Sequence, residues 1–357
     1  MANAISPFAF AGTTVGSGGK GGPDVATCVG INGFGRVGRS FMRAALERDD
    51  LTIAAVNDVA DTRTLAHLLA YDSTYGRLDM PVDYDGHAII LPGQRIPALS
   101  HRDPAEIDWG RLGADVVIES TGRFRGRDDA AAHLKGGARK VLISAPGKGA
   151  DLTVVMGVND GAYDPGRHDV ISNASCTTNC VAPMAKVLHD TFGVVQGFMT
   201  TVHAYTGDQM LLDGPHKDLR RARSAAVNIV PTYTGAARTT GEVISALAGR
   251  LDGVAVRVPV EDGSLTDLAA VLAREATAAE VNRAFEEAAS GGLAGVLRYS
   301  SDPLVSRDIV GDPASCVFDS ALTQASGTLV KVFGWYDNEW AYSCRLADLA
   351  ALVGTRC

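Results

Sequence analysis

Apolar residues fall in short compact blocks over the first half of the chain and in longer runs over the second. The early blocks are ATCVGIN (26–32), LTIAAVND (51–58), DVVIES (115–120), KVLISA (140–145), TVVMGV (153–158) and DVIS (169–172). Each reads as a buried strand, and segments of helical spacing such as RSFMRAALER and DDAAAHLKGG separate some of them. Strands alternating with helices predict a parallel sheet, because parallel neighbours need a long crossover that a helix supplies. The later runs GFMTTVHAYTG, LDGVAVRVPV, SLTDLAAVL and TLVKVFGWYD fit a mostly antiparallel sheet. CTTNCVAPMAKVLHDTF, TAAEVNRAFEEAA and WAYSCRLADLAALVG carry helical spacing. The change of character near residue 174 marks a domain boundary.

Between the first two blocks stands Gly33-Phe-Gly35-Arg-Val-Gly38, and the second block ends at Asp58. A lone GxGxxG is a weak signal. Here a strand precedes it, a helix follows it and an acidic residue closes the next strand, the context that dinucleotide binding requires. Gly33, Gly35 and Gly38 let the backbone approach a pyrophosphate, and the helix start offers it free N–H groups. Asp58 is placed to accept hydrogen bonds from the adenosine ribose and to repel a 2′-phosphate, which favours NAD over NADP. The expected fold class is α/β: an N-terminal Rossmann-type doubly wound parallel sheet over 26–174, completed by a C-terminal helix within 339–357. An α+β catalytic domain with a mostly antiparallel sheet occupies 175–338.

At 357 residues the chain exceeds the usual size of one core. Its net charge of −8 speaks against a sequence-independent grip on nucleic acid. No apolar run is long enough to span a bilayer. The six cysteines are irregularly spaced, which argues against a disulfide framework and for a reducing, cytoplasmic setting. Residues 1–25 lack a basic stretch before their apolar patch, so they do not read as a secretory signal. Their GSGGKGG run lacks two required P-loop positions. A flexible leader is expected there.

The stretch SNASCTTNC (172–180) holds two cysteines four apart. As a metal half-site it lacks a second pair, so no metal is expected. As a structural thiol, Cys180 fits, since it begins the apolar stretch of a helix. Cys176 differs because it starts that helix, with Ser175 as N-cap and Thr177 and Thr178 beside it. Free N–H groups there are expected to depress the thiol pKa and to hold an anionic oxygen. A nucleophilic thiol needs an imidazole, and His203 in TTVHAYTG is the most suggestive of eight histidines.

GINGFGRVGR, SNASCTTNC, TTVHAYTGDQ, HKDLRRAR, PTYTGAAR and WYDNEWAYS occur in this order. Together they resemble phosphorylating glyceraldehyde-3-phosphate dehydrogenase over roughly residues 27–354. The resemblance implies Cys176 as the nucleophile that forms a hemithioacetal and then a thioester, and His203 as general base. It implies hydride transfer to NAD, with Asn338 orienting the nicotinamide amide, and product formation with inorganic phosphate. It places the phosphate of glyceraldehyde 3-phosphate near Thr206 and Arg257, and the attacking phosphate near Ser175, Thr177, Thr234 and Gly235. Arg36, Val37, Arg102, Ser120, Thr121 and Ser144 join Asp58 and the three glycines as NAD contacts. The basic segment HKDLRRAR (216–223) implies a loop between subunits of a homotetramer; read without the family it is a solvated charged face.

Several residues depart from the family's pattern: Gly207, Gly214, Tyr233, Arg238, Glu261-Asp262 and Ala341. None removes a catalytic group, and lineage drift or a specialised isozyme accounts for them. An erythrose-4-phosphate dehydrogenase and a non-catalytic NAD-binding scaffold are the competing functions.

Overall fold

The computed structural model describes residues 26–357, and the expected leader, residues 1–25, lies outside the described residues. Thr27–Asn32 and Leu51–Asn57 lie side by side as parallel strands, joined through the helix Arg36–Leu46. On the other side of Thr27–Asn32, Val116–Glu119, Lys140–Ile143 and Val170–Ser172 follow outward, all parallel. These three strands are buried at every position, as strands covered on both faces are.

The sheet is wider than the hydrophobic pattern predicts. Gln94–Leu99 pairs with Leu51–Asn57, and Ala88–Leu91 and Asp83–Asp85 add antiparallel strands at that edge, giving nine in all. TVVMGV is a correction in the other direction. Only Leu152–Thr153 pairs as strand. Beyond it Gly157 turns the chain at φ 77°, and the Asn159 side chain bonds both Thr153 O and Val155 N at 2.8 Å. Val154 and Val155 are fully buried all the same, so the apolar run reported burial and not pairing. DDAAAHLKGG likewise forms two single turns, Arg127–Ala130 and Ala132–Lys135, in place of one helix.

The second sheet has eight strands. Val230–Tyr233, Leu251–Val258, Val194–Ala204, Ser264–Leu272, Leu329–Tyr336, Cys316–Asp319 and Leu297–Ser300 run across it, and Gln324–Ser326 pairs beside Leu329–Tyr336. Its pairings are antiparallel except for Val194–Ala204 with Leu251–Val258 and Leu297–Ser300 with Cys316–Asp319. The helices Cys176–Phe192 and Ala278–Ser290 cover one face, so that Cys180, Met184 and Leu188 share a core with Phe285, Phe318 and Val332. The last helix, Trp340–Gly354, returns to the first sheet. Its Leu346, Leu349 and Val353 pack in one core with Val29, Ile31 and Phe41.

Gly334 fixes how closely the helix Cys176–Phe192 seats on the second sheet. A Cβ there would come within 2.6 Å of both Cys316 Sγ and Met184 Sδ and 3.1 Å of Cys180 Sγ. Gly334→Ala should therefore overpack this layer and cost about 1–3 kcal/mol, read as a lower midpoint in urea. An unchanged midpoint would show that the layer has room to relax.

Candidate active site

A cleft of about 200 Å³ opens above the carboxyl ends of the first sheet's central strands. Gly33, Gly35, Asp58, Arg102, Ser120 and Thr121 line it, so six of the sequence-predicted cofactor residues meet in one place. The glycines act differently. Gly33 is left-handed at φ +93°, and a Cβ there would strike Thr121 N at 2.5 Å. A Cβ on Gly38 would strike Gly33 O at 2.2 Å, whereas around Gly35 nothing lies within 4 Å. Gly35 thus leaves open space at the start of the helix Arg36–Leu46, whose first N–H groups have no side-chain cap. An open, uncapped helix start is suited to a pyrophosphate. Asp58 is locked at the rim, accepting from Phe34 N (2.7 Å) and Ala60 N (3.0 Å).

Other predicted cofactor residues stand elsewhere. Arg36 turns its guanidinium to Asp72 and Glu339, so what it offers a dinucleotide at this turn is backbone. Val37 packs against the first core, and Ser144 donates to Glu119 O at 3.0 Å. Asn338 lies across the joint, where its Oδ1 accepts from Ser264 Oγ at 2.7 Å.

The cysteine–histidine pair forms where the two sheets meet. Ala174, just after the strand Val170–Ser172, has φ 55°, an uncommon conformation for a residue with a Cβ. It swings the chain into the helix Cys176–Phe192, and Tyr342 OH holds its carbonyl at 3.2 Å. Ser175 caps this helix by accepting from Thr178 N at 3.1 Å. Cys176 Sγ then lies 3.4 Å from His203 Nε2 on Val194–Ala204. Cys180, one turn on, is fully buried against Met184 and Gly334 O, a packing residue.

Arg257 stands beside His203 because their strands run parallel in that register. Its Nη1 is 2.7 Å from His203 Nδ1 and donates to Ala204 O at 2.9 Å. His203 Nδ1 is also 2.7 Å from Ala204 O. The nitrogen serves one of these at a time. Donating to Ala204 leaves Nε2 free as a base; accepting from Arg257 puts the ring proton on Nε2, facing the sulfur.

Helix position alone predicts a depressed thiol, and burial acts in the opposite direction. Burial pushes the Cys176 thiol above its ordinary value, with Arg257 and the Thr177 hydroxyl acting against it. Burial also drives His203 down to about 3, and the charge of Arg257 adds to that shift. The resting pair is a thiol against a neutral imidazole.

Among the predicted phosphate donors, Arg257 contacts His203, and Thr177 Oγ1 lies 4.0 Å from Cys176 Sγ. Thr206 Oγ1 donates to Asp208, which accepts from Arg221 Nη1 at 2.5 Å. Thr177 Oγ1 shares a 2.8 Å hydrogen bond with Tyr336 OH, which also bonds Thr201 Oγ1 at 2.8 Å. Thr234 Oγ1 accepts from Ala236 N at 3.2 Å, and Gly235 opens the helix Ala236–Val243. Sequence reading missed Tyr336, Asp208 and the inward role of Arg221. Arg221 came from a segment that reads as a solvated charged face, and no local spacing marks one of its basic residues as different.

A nucleotide-type parallel sheet joined to a sheet that presents a cysteine–histidine contact is the architecture of an NAD-dependent dehydrogenase. Residues 27–127 match the glyceraldehyde 3-phosphate dehydrogenase NAD-binding domain, and residues 175–338 match the C-terminal domain of that enzyme. The chain is 59% identical over 330 residues to glyceraldehyde-3-phosphate dehydrogenase 2 of Streptomyces avermitilis, covering 92% of this chain and 98% of the relative. It is 60% identical over 331 residues to the Streptomyces coelicolor enzyme, with coverage of 92% and 98%. Against glyceraldehyde-3-phosphate dehydrogenase of Geobacillus stearothermophilus it is 55% identical over 333 residues, covering 93% and 99%. The chain belongs to the glyceraldehyde-3-phosphate dehydrogenase family.

Cys176 is the cysteine with an imidazole in contact, so it should alkylate faster at neutral pH than Cys28, Cys344 or Cys357. His203→Asn should slow that labelling, because Nε2 is the base in contact with Sγ. Peptide mass mapping after brief iodoacetamide treatment reads both, and faster labelling of Cys28 would contradict the assignment.

Proposed function

We propose that the chain oxidises D-glyceraldehyde 3-phosphate to 1,3-bisphosphoglycerate with NAD and inorganic phosphate, using Cys176 and His203. The observation that carries this reading is the 3.4 Å contact between Sγ and Nε2 at the start of a capped helix. As Sγ attacks the aldehyde carbon, Nε2 takes the thiol proton and a hemithioacetal forms on Cys176. The imidazole returns that proton to the new oxygen and removes it again as the carbon is oxidised. NAD held in the cleft lined by Gly33, Gly35 and Asp58 would supply the hydride acceptor for oxidation of the hemithioacetal to a thioester. Inorganic phosphate attacks the thioester carbonyl, the acyl phosphate leaves, and the released thiolate regains a proton.

Thr206 and Arg257 hold the substrate's phosphate, a dianion suited to a guanidinium with hydroxyl support. Drawing Arg257 toward that phosphate frees His203 Nδ1 to donate to Ala204 O, which selects the tautomer with Nε2 as base. Ser175, Thr177, Thr234 and Gly235 form the second phosphate site. Because Ser175 Oγ caps the helix and Thr177 Oγ1 bonds Tyr336, backbone N–H groups share that task. On the cofactor side Gly33, Gly35, Asp58, Arg102, Ser120 and Thr121 face the dinucleotide, Arg36, Val37 and Gly38 contribute through the backbone of the turn, Ser144 is a further contact, and Asn338 orients the nicotinamide amide.

The chain acts as a cytoplasmic homotetramer. All six cysteines are free thiols, as a reducing compartment keeps them. Leu211, Leu212 and Leu219 are 77%, 77% and 80% exposed, apolar surface that a neighbouring subunit would cover. No helix among the described residues is long and apolar enough to cross a membrane. The domain division at 26–174 and 175–338 follows the two sheets.

Cys176→Ala should abolish NADH formation from glyceraldehyde 3-phosphate, and kcat/KM for that aldehyde should exceed that for erythrose 4-phosphate. The reverse ranking would favour the erythrose-4-phosphate reading, and no turnover with either aldehyde would favour a binding protein. Asp58→Ala should narrow the preference for NAD over NADP by about tenfold, about 1.4 kcal/mol; an unchanged ratio of kcat/KM would remove Asp58 from cofactor choice.

A further inference from the structure

Three side chains from distant parts of the chain meet beneath Asn338. Tyr75 comes from between the short strands Tyr71–Asp72 and Gly76–Arg77, Asp262 precedes Ser264–Leu272, and Asp337 follows Leu329–Tyr336. Asp262 is 1% exposed and Asp337 0%. The Tyr75 hydroxyl lies 2.9 Å from Asp262 Oδ2 and 2.9 Å from Asp337 Oδ1.

Counting protons settles the charge state. A phenol has one proton and can donate to one of the two carboxyls. Were both ionised, its oxygen would face the other carboxylate lone pair to lone pair. Asp337 is served as a carboxylate: Oδ1 accepts from Glu339 N (2.9 Å) and Trp340 N (2.7 Å), and Oδ2 from Gly311 N (2.7 Å). The backbone donors of Asp262, Gly263 N at 2.8 Å and Asn338 N at 3.3 Å, both reach Oδ1. The missing proton therefore belongs on Asp262 Oδ2.

We propose that Asp262 is a neutral acid donating to Tyr75, that Tyr75 donates to Asp337, and that this relay makes Asp262 a positioning residue for Asn338 and hence for NAD. The inference rests on Asn338 as the residue that orients the nicotinamide amide. Asp262 holds Asn338 through its backbone N–H, while Ser264 Oγ holds the side chain of Asn338.

Burial and the adjacent Asp337 push Asp262 up to about 8; burial raises Asp337 as well, against the pull of its backbone donors Gly311 N, Trp340 N and Glu339 N. The other charges around it offer no direct partner. Glu339 and Asp72 are both paired to Arg36 on the helix Arg36–Leu46, and Glu261 is paired to Arg307 on Ser306–Ile309. Cys176 faces it from the nucleophile helix as a thiol. The raised pKa means that the unfolded chain loses this proton first, so its contribution to stability falls between about pH 4 and about pH 8 and then levels. NAD binding responds later, as the folded protein loses the proton near pH 8 and two buried carboxylates compete for one donor.

The test is infrared spectroscopy of the full chain together with NAD titration from about pH 6 to about pH 9.5. Wild type should show the carbonyl band of a protonated carboxylic acid, lost with a midpoint near pH 8 as the Kd for NAD rises several-fold. Asp262→Asn, whose amide keeps a donor toward Tyr75, should lack that band and bind NAD without this pH dependence. Survival of the band in Asp262→Asn, or a flat wild-type Kd while the band is lost, would overturn the proposal. Asn338→Ala should weaken NAD at every pH. If it does not, the role assigned to Asn338 fails, and the inference fails with it.

Discussion

The contact between Cys176 Sγ and His203 Nε2 constrains the rest of the molecule. A sulfur at the first position of a helix has to meet an imidazole near the end of a strand in a different layer. That requires a fixed helix start, a fixed strand register and a fixed distance between the layers. The left-handed Ala174 and the Ser175 cap set the first. Pairing of Val194–Ala204 with Leu251–Val258 and Ser264–Leu272 sets the second, and brings Arg257 alongside His203. Gly334, with no side chain between sheet and helix, sets the third.

Burial then decides the charges. Around the cysteine–histidine pair it favours neutral thiol and neutral imidazole. Around Asp262 it favours a neutral carboxylic acid. In both places low polarity keeps a proton that water would remove, and hydrogen-bond geometry decides which atom carries it. The two sites are neighbours: Asn338 follows Asp337, and Asp262 raises the Cys176 thiol further through its charge when ionised.

Much of this was legible in the sequence. The GxGxxG turn between two apolar blocks located the cleft at the first sheet, and Ser175-Cys176 before an apolar helix located the helix start where the cysteine meets the imidazole. Local signals suffice there because a cap, a glycine turn and a run of buried residues are each made by neighbours in sequence. What the sequence hid was built by register. No spacing connects His203 to Arg257, or Tyr75 to Asp262 and Asp337, and only the strand pairings and the joint between the sheets bring them together. TVVMGV failed for a related reason: an apolar run reports burial, while Gly157 and Asn159 decide that the chain turns. Helix position, which favours the thiolate, is visible in a sequence, and the desolvation that opposes it is not.

The central claim is that oxidation proceeds on Cys176 with His203 as its base, and that phosphate acts only afterwards. Intact mass measurement after mixing the chain with glyceraldehyde 3-phosphate and NAD, without inorganic phosphate, tests it most directly. The account predicts one acyl group per chain, located on the peptide that carries Cys176 and removed when phosphate is added. Steady NADH production without phosphate and without any adduct, or an adduct on another residue, would contradict it.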